Sequence, residues 1–270
     1  MDSEISPGSS ITIRNLTKVF SGERKNLLAL SQVNLDIPSG QITVLIGPSG
    51  CGKSTLLNMI GGFERPTEGT IFMDGKQIEK PAPDRGFVFQ DYALFPWRTV
   101  LGNVMFGLVN TGWKKKEAEE QARRFINLVN LNGFEDAYPH TLSGGMKQRV
   151  AIARALAYDP KVLLMDEPFG ALDAQTRKFM QQELERILMQ TCKTVVFVTH
   201  SVIEAVYLAD RIVVFTARPG TVKGVVEVDL PRARKYTDDA YLDTRGQVLS
   251  LLEEEVEKEI QQDGLEPPQD

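Results

Sequence analysis

Cysteine, histidine and long apolar runs are what this chain of 270 residues has least of. Two cysteines, Cys51 and Cys192, are too few for a disulfide framework and point to a reducing compartment. No apolar run approaches the roughly 20 residues needed to cross a bilayer, because charges interrupt every candidate. The opening Met1-Asp2-Ser3-Glu4 lacks the basic and apolar regions of a secretory signal, so a cytoplasmic protein is expected. There is no internal repeat and no long heptad insertion. A net charge of -5 argues against a nucleic-acid partner.

What remains is ordinary globular material, 42% hydrophobic and 25% charged, long enough for a substantial core. Residues 11–90 read as β-rich. A strand begins at 11–13, a turn follows at 36–40, and Ile42-Thr43-Val44-Leu45-Ile46 is a buried-strand run. Asp74-Gly75, between 70–73 and 76–78, is a hairpin signal. Residues 113–131 turn helical, with Ala118, Ala122, Phe125, Ile126 and Val129 on one side. Two more β runs, 162–165 and 194–199, flank a helical 174–190. Such alternation predicts an α/β fold with a mainly parallel sheet and active groups at the strands' carboxyl ends. Residues 91–157 read as a mostly helical insertion. Past Pro219-Gly220, residues 222–228 alternate like a final strand. Residues 243–260 carry Val248, Leu252, Val256 and Ile260 at helical spacing, as a helix packing back on its own domain. The polar, proline-containing 261–270 is expected to be a disordered tail.

Chemistry concentrates in three places. Gly47-Pro48-Ser49-Gly50-Cys51-Gly52-Lys53-Ser54 fits the G-x-x-x-x-G-K-[ST] phosphate loop in full, between a strand and a helical run, and with Thr55 is expected to bind the nucleotide. Its glycines let the backbone curl so that N–H groups face phosphate oxygens. Lys53 can neutralise β- and γ-phosphates, and the Ser54 hydroxyl can ligate Mg²⁺. Cys51 reads as a small residue tolerated in the loop. Second, the apolar 162–165 ends in Asp166-Glu167, a carboxylate for the metal followed by one placed to polarise water as a general base. Third, Leu142-Ser143-Gly144-Gly145-Met146-Lys147-Gln148-Arg149 precedes a helical 150–157 and puts backbone N–H groups at a helix start, a second anion site. One nucleotide rarely needs two cradles on one chain, so the second suits a nucleotide held by another copy.

In this order the motifs resemble those of the ABC (ATP-binding cassette) ATPases, over roughly residues 10–230. The resemblance implies a P-loop NTPase cassette with a RecA-like, mainly parallel sheet core, an N-terminal antiparallel β subdomain and a helical subdomain at about 91–157. A C-terminal helical extension at 231–260 would follow. It implies ATP and Mg²⁺ as ligands. By the same resemblance Phe20 matches the aromatic that stacks on adenine, and Gln90, closing Phe87-Val88-Phe89-Gln90, matches the glutamine that touches Mg²⁺ and water. Gly170-Ala171-Leu172-Asp173 matches the loop that communicates across the dimer, and His200 the switch histidine at the γ-phosphate. His140 has no such match and reads as structural. Met146 departs from the glutamine usual at the fifth signature position, while Ser143, Gly144 and Gly145, which carry the phosphate contacts, are kept. The implied partner is a second cassette, same or homologous, placed head to tail so that this signature closes over the other copy's ATP.

The stretches Asp84-Arg85-Gly86-Phe87-Val88-Phe89-Gln90, Leu94-Phe95-Pro96-Trp97, 165–177, 198–202 and Thr216-Ala217-Arg218-Pro219-Gly220 are similar to the nitrate/sulfonate/taurine importer ATPases, with bicarbonate as a related solute. That similarity implies transmembrane permease subunits as partners, a periplasmic solute-binding protein acting indirectly, and a peripheral place on the cytoplasmic face of the inner membrane. Residues 94–97 are either a docking surface for the permease or packing of the insertion onto the core. The alternative function is a soluble ABC-type ATPase of DNA repair or translation, whose usual coiled-coil insertion or second cassette this chain lacks. A P-loop small-molecule kinase would have neither the 142–149 signature nor His200.

Overall fold

The computed structural model describes residues 8–22 and 26–262. In chain order they form β1 (Ile11–Phe20), β2 (Leu27–Ile37), β3 (Ile42–Ile46), α1 (Lys53–Gly61), β4 (Glu68–Met73), β5 (Lys76–Gln77) and β6 (Arg85–Val88). Then come α2 (Val100–Asn110), α3 (Lys115–Leu128), α4 (Gly144–Leu156), β7 (Val162–Asp166), α5 (Ala174–Thr191), β8 (Thr194–Val198), α6 (Val202–Leu208), β9 (Arg211–Phe215), β10 (Val222–Glu227) and α7 (Asp239–Gln262). The fold is α/β. Two compact units share it: Ser9–Pro81 with the chain from Thr194 onward, and Ala82–Lys193 with Gly8. The helical 91–157 therefore belongs to a unit that also holds β6, β7 and α5.

In the first unit, β3 is the pivot. All five of its side chains are buried, and β8 and β9 flank it in parallel register. A strand covered on both faces needs an unbroken apolar run, and this one has only Thr43 as a polar interruption. The local order is β10-β9-β3-β8, with β10 antiparallel to β9. A separate antiparallel sheet runs β2-β1-β4-β5. Its β4–β5 hairpin turns at Asp74-Gly75, where both residues take positive φ (48° and 76°), as a two-residue primed turn requires.

Helix α7 packs on α6, β9 and β10, with Tyr241 and Val248 buried. It begins four residues before the expected 243 and continues through Gln261 and Gln262, the first two residues of the expected tail; residues 263–270 lie outside the described ones. The early start has a physical cause. Asp239 gives the first turn a carboxylate that suits the helix dipole, and Tyr241 anchors that turn by donating its hydroxyl to the Ile203 carbonyl at 3.0 Å. Before α7, the buried Arg234 donates to the carbonyls of Val206, Tyr207 and Ala209, closing the C-terminal end of α6.

In the second unit, β6 and β7 pair in parallel from Arg85↔Val162 to Val88↔Met165. Helices α2, α3 and α4 pack together. Helix α3 buries Ala118, Ala122 and Ile126, with Val129 at its cap, while Phe125 stays partly exposed. The buried Asn103 amide fastens the preceding segment. Its Oδ1 accepts from the Phe95 N–H at 2.8 Å, and its Nδ2 donates to the Phe95, Arg98 and Thr99 carbonyls. Of the two expected roles for residues 94–97, packing holds for Phe95. Phe95 packs at a tilt on Phe106 of α2, centroids 4.4 Å apart, whereas Trp97 is 70% exposed.

Strand β6 meets α4 so closely at Gly86 that a Cβ there would lie 2.7 Å from the Ala155 carbonyl oxygen and 3.1 Å from Leu163 and Pro160. Backbone cannot yield as a side-chain tip can. Gly86→Ala is expected to cost about 1–3 kcal/mol by overpacking, and urea unfolding monitored by circular dichroism measures it; an unchanged midpoint would contradict this packing.

Candidate functional site

The phosphate loop leaves β3 at Ile46 and enters α1 at Lys53. Gly50 (φ 70°) and Gly52 (φ 98°) take left-handed backbone, which a residue with a Cβ adopts only at a cost. At Gly52 a Cβ would also lie 2.7 Å from Leu30 Cδ2, and at Gly47 one would lie 2.9 Å from the Phe215 carbonyl. Gly47, Pro48, Cys51 and Lys53 are buried, Thr55 is half-buried, and Ser49, Gly50 and Ser54 are exposed. The Lys53 ammonium donates to the Gly47 and Pro48 carbonyls, each at 2.8 Å, which stations its charge inside the loop. No acidic residue stands in the first turn of α1, so nothing there opposes an anion. Burial pushes the Cys51 thiol up, against the lowering pull of Lys53 3.5 Å away. The thiol is thus kept protonated at neutral pH, in keeping with a packing role.

His200 stands two residues past the end of β8 and is exposed. The turn beneath it is fixed by three neighbours. Thr199 Oγ1 donates to Glu204 Oε2 at 2.6 Å and accepts from the Ser201 N–H at 3.0 Å, while Ser201 Oγ accepts from the Glu204 N–H at 3.3 Å. Glu204 is 5% exposed, so its carboxylate is part of the framework. Phe20 closes β1 at 37% exposure, with Lys18 Nζ 4.8 Å from its ring centroid.

In the second unit, β7 ends at Asp166, and Glu167 immediately takes φ 41°. Left-handed backbone at a non-glycine residue stores strain and turns the side chain out of strand alternation. Glu167 Oε2 and Gln90 Nε2 both lie 3.8 Å from where a Cβ on Gly170 would stand, so the two side chains converge over that glycine. Gln90 itself follows β6 and is exposed. Beyond it Tyr92 (φ 60°) and Ala93 (φ 47°) form a second left-handed pair. Arg154 of α4 holds it, donating to the Tyr92 carbonyl at 2.8 Å and the Ala93 carbonyl at 2.5 Å. Burial pulls the Arg154 guanidinium below its ordinary value, with Tyr158 acting against that shift.

Ser143 caps α4, its Oγ accepting from the Met146 N–H at 3.3 Å. Gly144 is half-buried. A Cβ on it would meet Leu172 Cδ2 at 3.2 Å and the Tyr92 hydroxyl at 3.5 Å; one on the buried Gly145 would meet Thr176 Cγ2 at 3.0 Å. The signature, the segment after Gln90 and the start of α5 therefore pack together. Asp173 caps α5, accepting from the Thr176 and Gln175 N–H groups at 3.0 and 3.1 Å. These bonds, Thr176's foremost, hold its carboxyl below the usual range. Within this chain, that carboxylate serves the helix.

Sequence reasoning missed Arg154, Tyr92 and the Thr199–Glu204 pair. Ser201-x-x-Glu204 is a readable capping-box pattern that marks a helix start. Arg154 and Tyr92 carry no such signal, because the arginine reaches a backbone carbonyl far away in sequence, an atom every residue possesses.

The ABC transporter family model matches residues 30–170. An ABC transporter ATP-binding protein of Methanocaldococcus jannaschii is 54% identical over 250 residues, covering 93% of this chain and 94% of its own. The aliphatic sulfonates import ATP-binding protein SsuB of Bacillus cereus is 44% identical over 244 residues, covering 90% and 96%. The nitrate import ATP-binding protein NrtD of a Synechocystis strain is 49% identical over 221 residues, covering 82% and 83%. Among solved structures, a dimeric bacterial ABC transporter cassette superposes with a TM-score of 0.72 at 35% identity, covering 82% of this chain and all of that one. Its dimeric post-hydrolysis state bound to ADP and Pi matches equally well. The chain belongs to the ATP-binding proteins of the ABC transporter family.

Proposed function

We propose that this chain is the ATP-hydrolysing subunit of an importer for a small anion of the nitrate, sulfonate/taurine or bicarbonate type. It works with permease subunits and, through them, a periplasmic solute-binding protein, on the cytoplasmic face of the inner membrane. The observation that carries the reading is the pair of anion-seeking helix starts on one chain, α1 behind the phosphate loop and α4 behind Ser143. Neither has an acidic residue in its first turn. One cradle holds the chain's own nucleotide, and the other completes the site of a second cassette. Relatives named for sulfonate and nitrate import support the solute class. None of the described helices is long and apolar enough to cross a membrane, which fits separate permease subunits.

In this reading Phe20 stacks on adenine, the N–H groups of residues 47–55 hold the phosphates, and Lys53 neutralises them. Ser54, Gln90 and Asp166 offer hydroxyl, amide-carbonyl and carboxylate oxygens, the hard donor set that Mg²⁺ takes. An Mg²⁺ ion held by these residues would supply charge neutralisation to the phosphate oxygens. Glu167, turned out of its strand, accepts a proton from the attacking water at a carboxylate oxygen, and His200 donates to the γ-phosphate. Ser143, Gly144 and Gly145 serve the other copy's γ-phosphate, with Asp173 shaping the loop beside it.

Co-purification with its permease, and ATP hydrolysis stimulated by that permease, tests the assignment; stimulation by DNA instead would sink it. Glu167→Gln is expected to lower kcat by on the order of 10²–10⁴-fold while an ATP-dependent dimer still forms, read by size-exclusion chromatography with ATP. Near-normal turnover would refute the base role. Lys53→Ala removes a charge-assisted bond and is expected to weaken ATP binding by more than about tenfold in calorimetry; unchanged affinity would contradict the phosphate-facing role.

A further inference from the structure

The loop after β9 touches the phosphate loop from behind. It is a closed turn: the Thr216 N–H donates to the Thr221 carbonyl at 3.0 Å, and the Thr221 N–H to Thr216 Oγ1 at 2.9 Å. It is also tied to β2, through the Gly220 N–H to the Ala29 carbonyl at 2.9 Å and the Ser31 N–H to the Gly220 carbonyl at 3.1 Å. From this base Arg218 donates its Nε–H to the Gly50 carbonyl at 3.1 Å, and its Nη2 fills the space a Gly50 Cβ would need. Next along, the Cys51 carbonyl fills the space a Gly220 Cβ would need. Two consecutive phosphate-loop carbonyls thus face this turn. A trans peptide is planar, so the N–H groups of Cys51 and Gly52 point to the opposite side, that of Cys51 to the Pro48 carbonyl at 3.4 Å within the loop. Fixing the carbonyls fixes the direction of the donors.

The turn is in its own right held by the C-terminal helix. Glu255 of α7, 2% exposed, accepts from the Ala217 N–H at 2.9 Å and pairs with Lys223 Nζ at 3.0 Å. A buried carboxylate keeps its charge only when so satisfied, which makes this contact specific. Ala217 is the residue before Arg218.

We propose that Arg218 is a positioning residue of the phosphate loop, that Glu255 holds it in place, and that α7 thereby sets nucleotide affinity. The inference rests on reading residues 47–54 as the ATP cradle, and the experiment separates the two. ATP–Mg²⁺ binding to the full chain is measured by calorimetry for Arg218→Met, Arg218→Gln and Glu255→Ala, with KM and kcat alongside. Glutamine is chosen because its Nε2 lies the same number of bonds from the backbone as arginine Nε, so the donor survives without the charge. Arg218→Met is expected to raise Kd and KM about three- to tenfold, the size of one hydrogen bond, with kcat within about twofold. Arg218→Gln should restore both constants. Glu255→Ala should raise Kd similarly, and combining it with Arg218→Met should add little, since linked residues are non-additive. Arg218→Gln binding as weakly as Arg218→Met would mean charge alone matters and overturn positioning. An Arg218→Met variant with wild-type Kd would overturn the whole inference. A Glu255→Ala variant that melts earlier yet binds normally, or additive effects in the double variant, would overturn the role of α7. Wild-type protein that fails to bind ATP would overturn the cradle itself.

Discussion

The direction of a few backbone N–H groups between Gly47 and Ser54 is the constraint on which the rest of the first unit depends. Those donors cannot be aimed by side-chain choice, because each is anti to a carbonyl that must itself go somewhere. The structure disposes of the carbonyls one by one. Pro48 receives the Lys53 ammonium, as does Gly47, whose peptide partner Pro48 has no N–H; Gly50 receives Arg218, and Cys51 packs on Gly220. Left-handed φ at Gly50 and Gly52 makes the curl possible, and Leu30 and Ala29 stand where a Cβ on Gly52 would go. The all-buried β3 delivers the loop to a fixed point, because its two parallel neighbours leave it no freedom of register.

The second unit meets a different demand with the same means. Gln90 and Glu167 must be brought over Gly170 by segments leaving two adjacent strands, β6 and β7. Regular strand geometry would alternate their side chains away. Glu167, Tyr92 and Ala93 all sit in left-handed backbone instead, each at a cost of order 1–3 kcal/mol. The Arg154 bonds to the Tyr92 and Ala93 carbonyls offset part of that cost. Because Arg154 rides on α4, and Tyr92 lies beside Gly144, the helix that presents the signature also braces the segment carrying Gln90. Movement of one therefore strains the other.

What could be read in advance was whatever the chain encodes locally. The phosphate loop, the Asp74-Gly75 hairpin, β3 and the helix across 174–190 depend on residues adjacent in sequence or on a short period, and each stands where the pattern placed it. The apolar 162–165 likewise put Asp166 at a strand end. The braces were silent. Arg218 reaches Gly50, Arg154 reaches Tyr92 and Glu255 reaches Ala217, all through backbone atoms that every residue possesses, so no residue type marks the partner. The early start of α7 was hidden for a related reason. Tyr241 is anchored through the Ile203 carbonyl of α6, again a backbone atom that no residue type marks. Residues 94–97 resisted assignment because two aromatics two positions apart do opposite things, Phe95 packing on α2 and Trp97 facing outward.

Met146 is the sequence irregularity that the geometry explains best. It stands at the third position of α4, where a glutamate or glutamine would bond back to the cap residue's N–H. Methionine cannot, so side-chain capping of this start falls to Ser143 Oγ and its bond to the Met146 N–H. That bond uses the backbone of residue 146 and is indifferent to its side chain. The electrostatics are unharmed as well: a neutral residue there leaves the first turn of α4 without an acid to weaken its positive end. What the substitution removes is the reciprocal half of a capping box. The helix start then leans more on its packing, where Gly145 meets Thr176 and Gly144 meets Leu172.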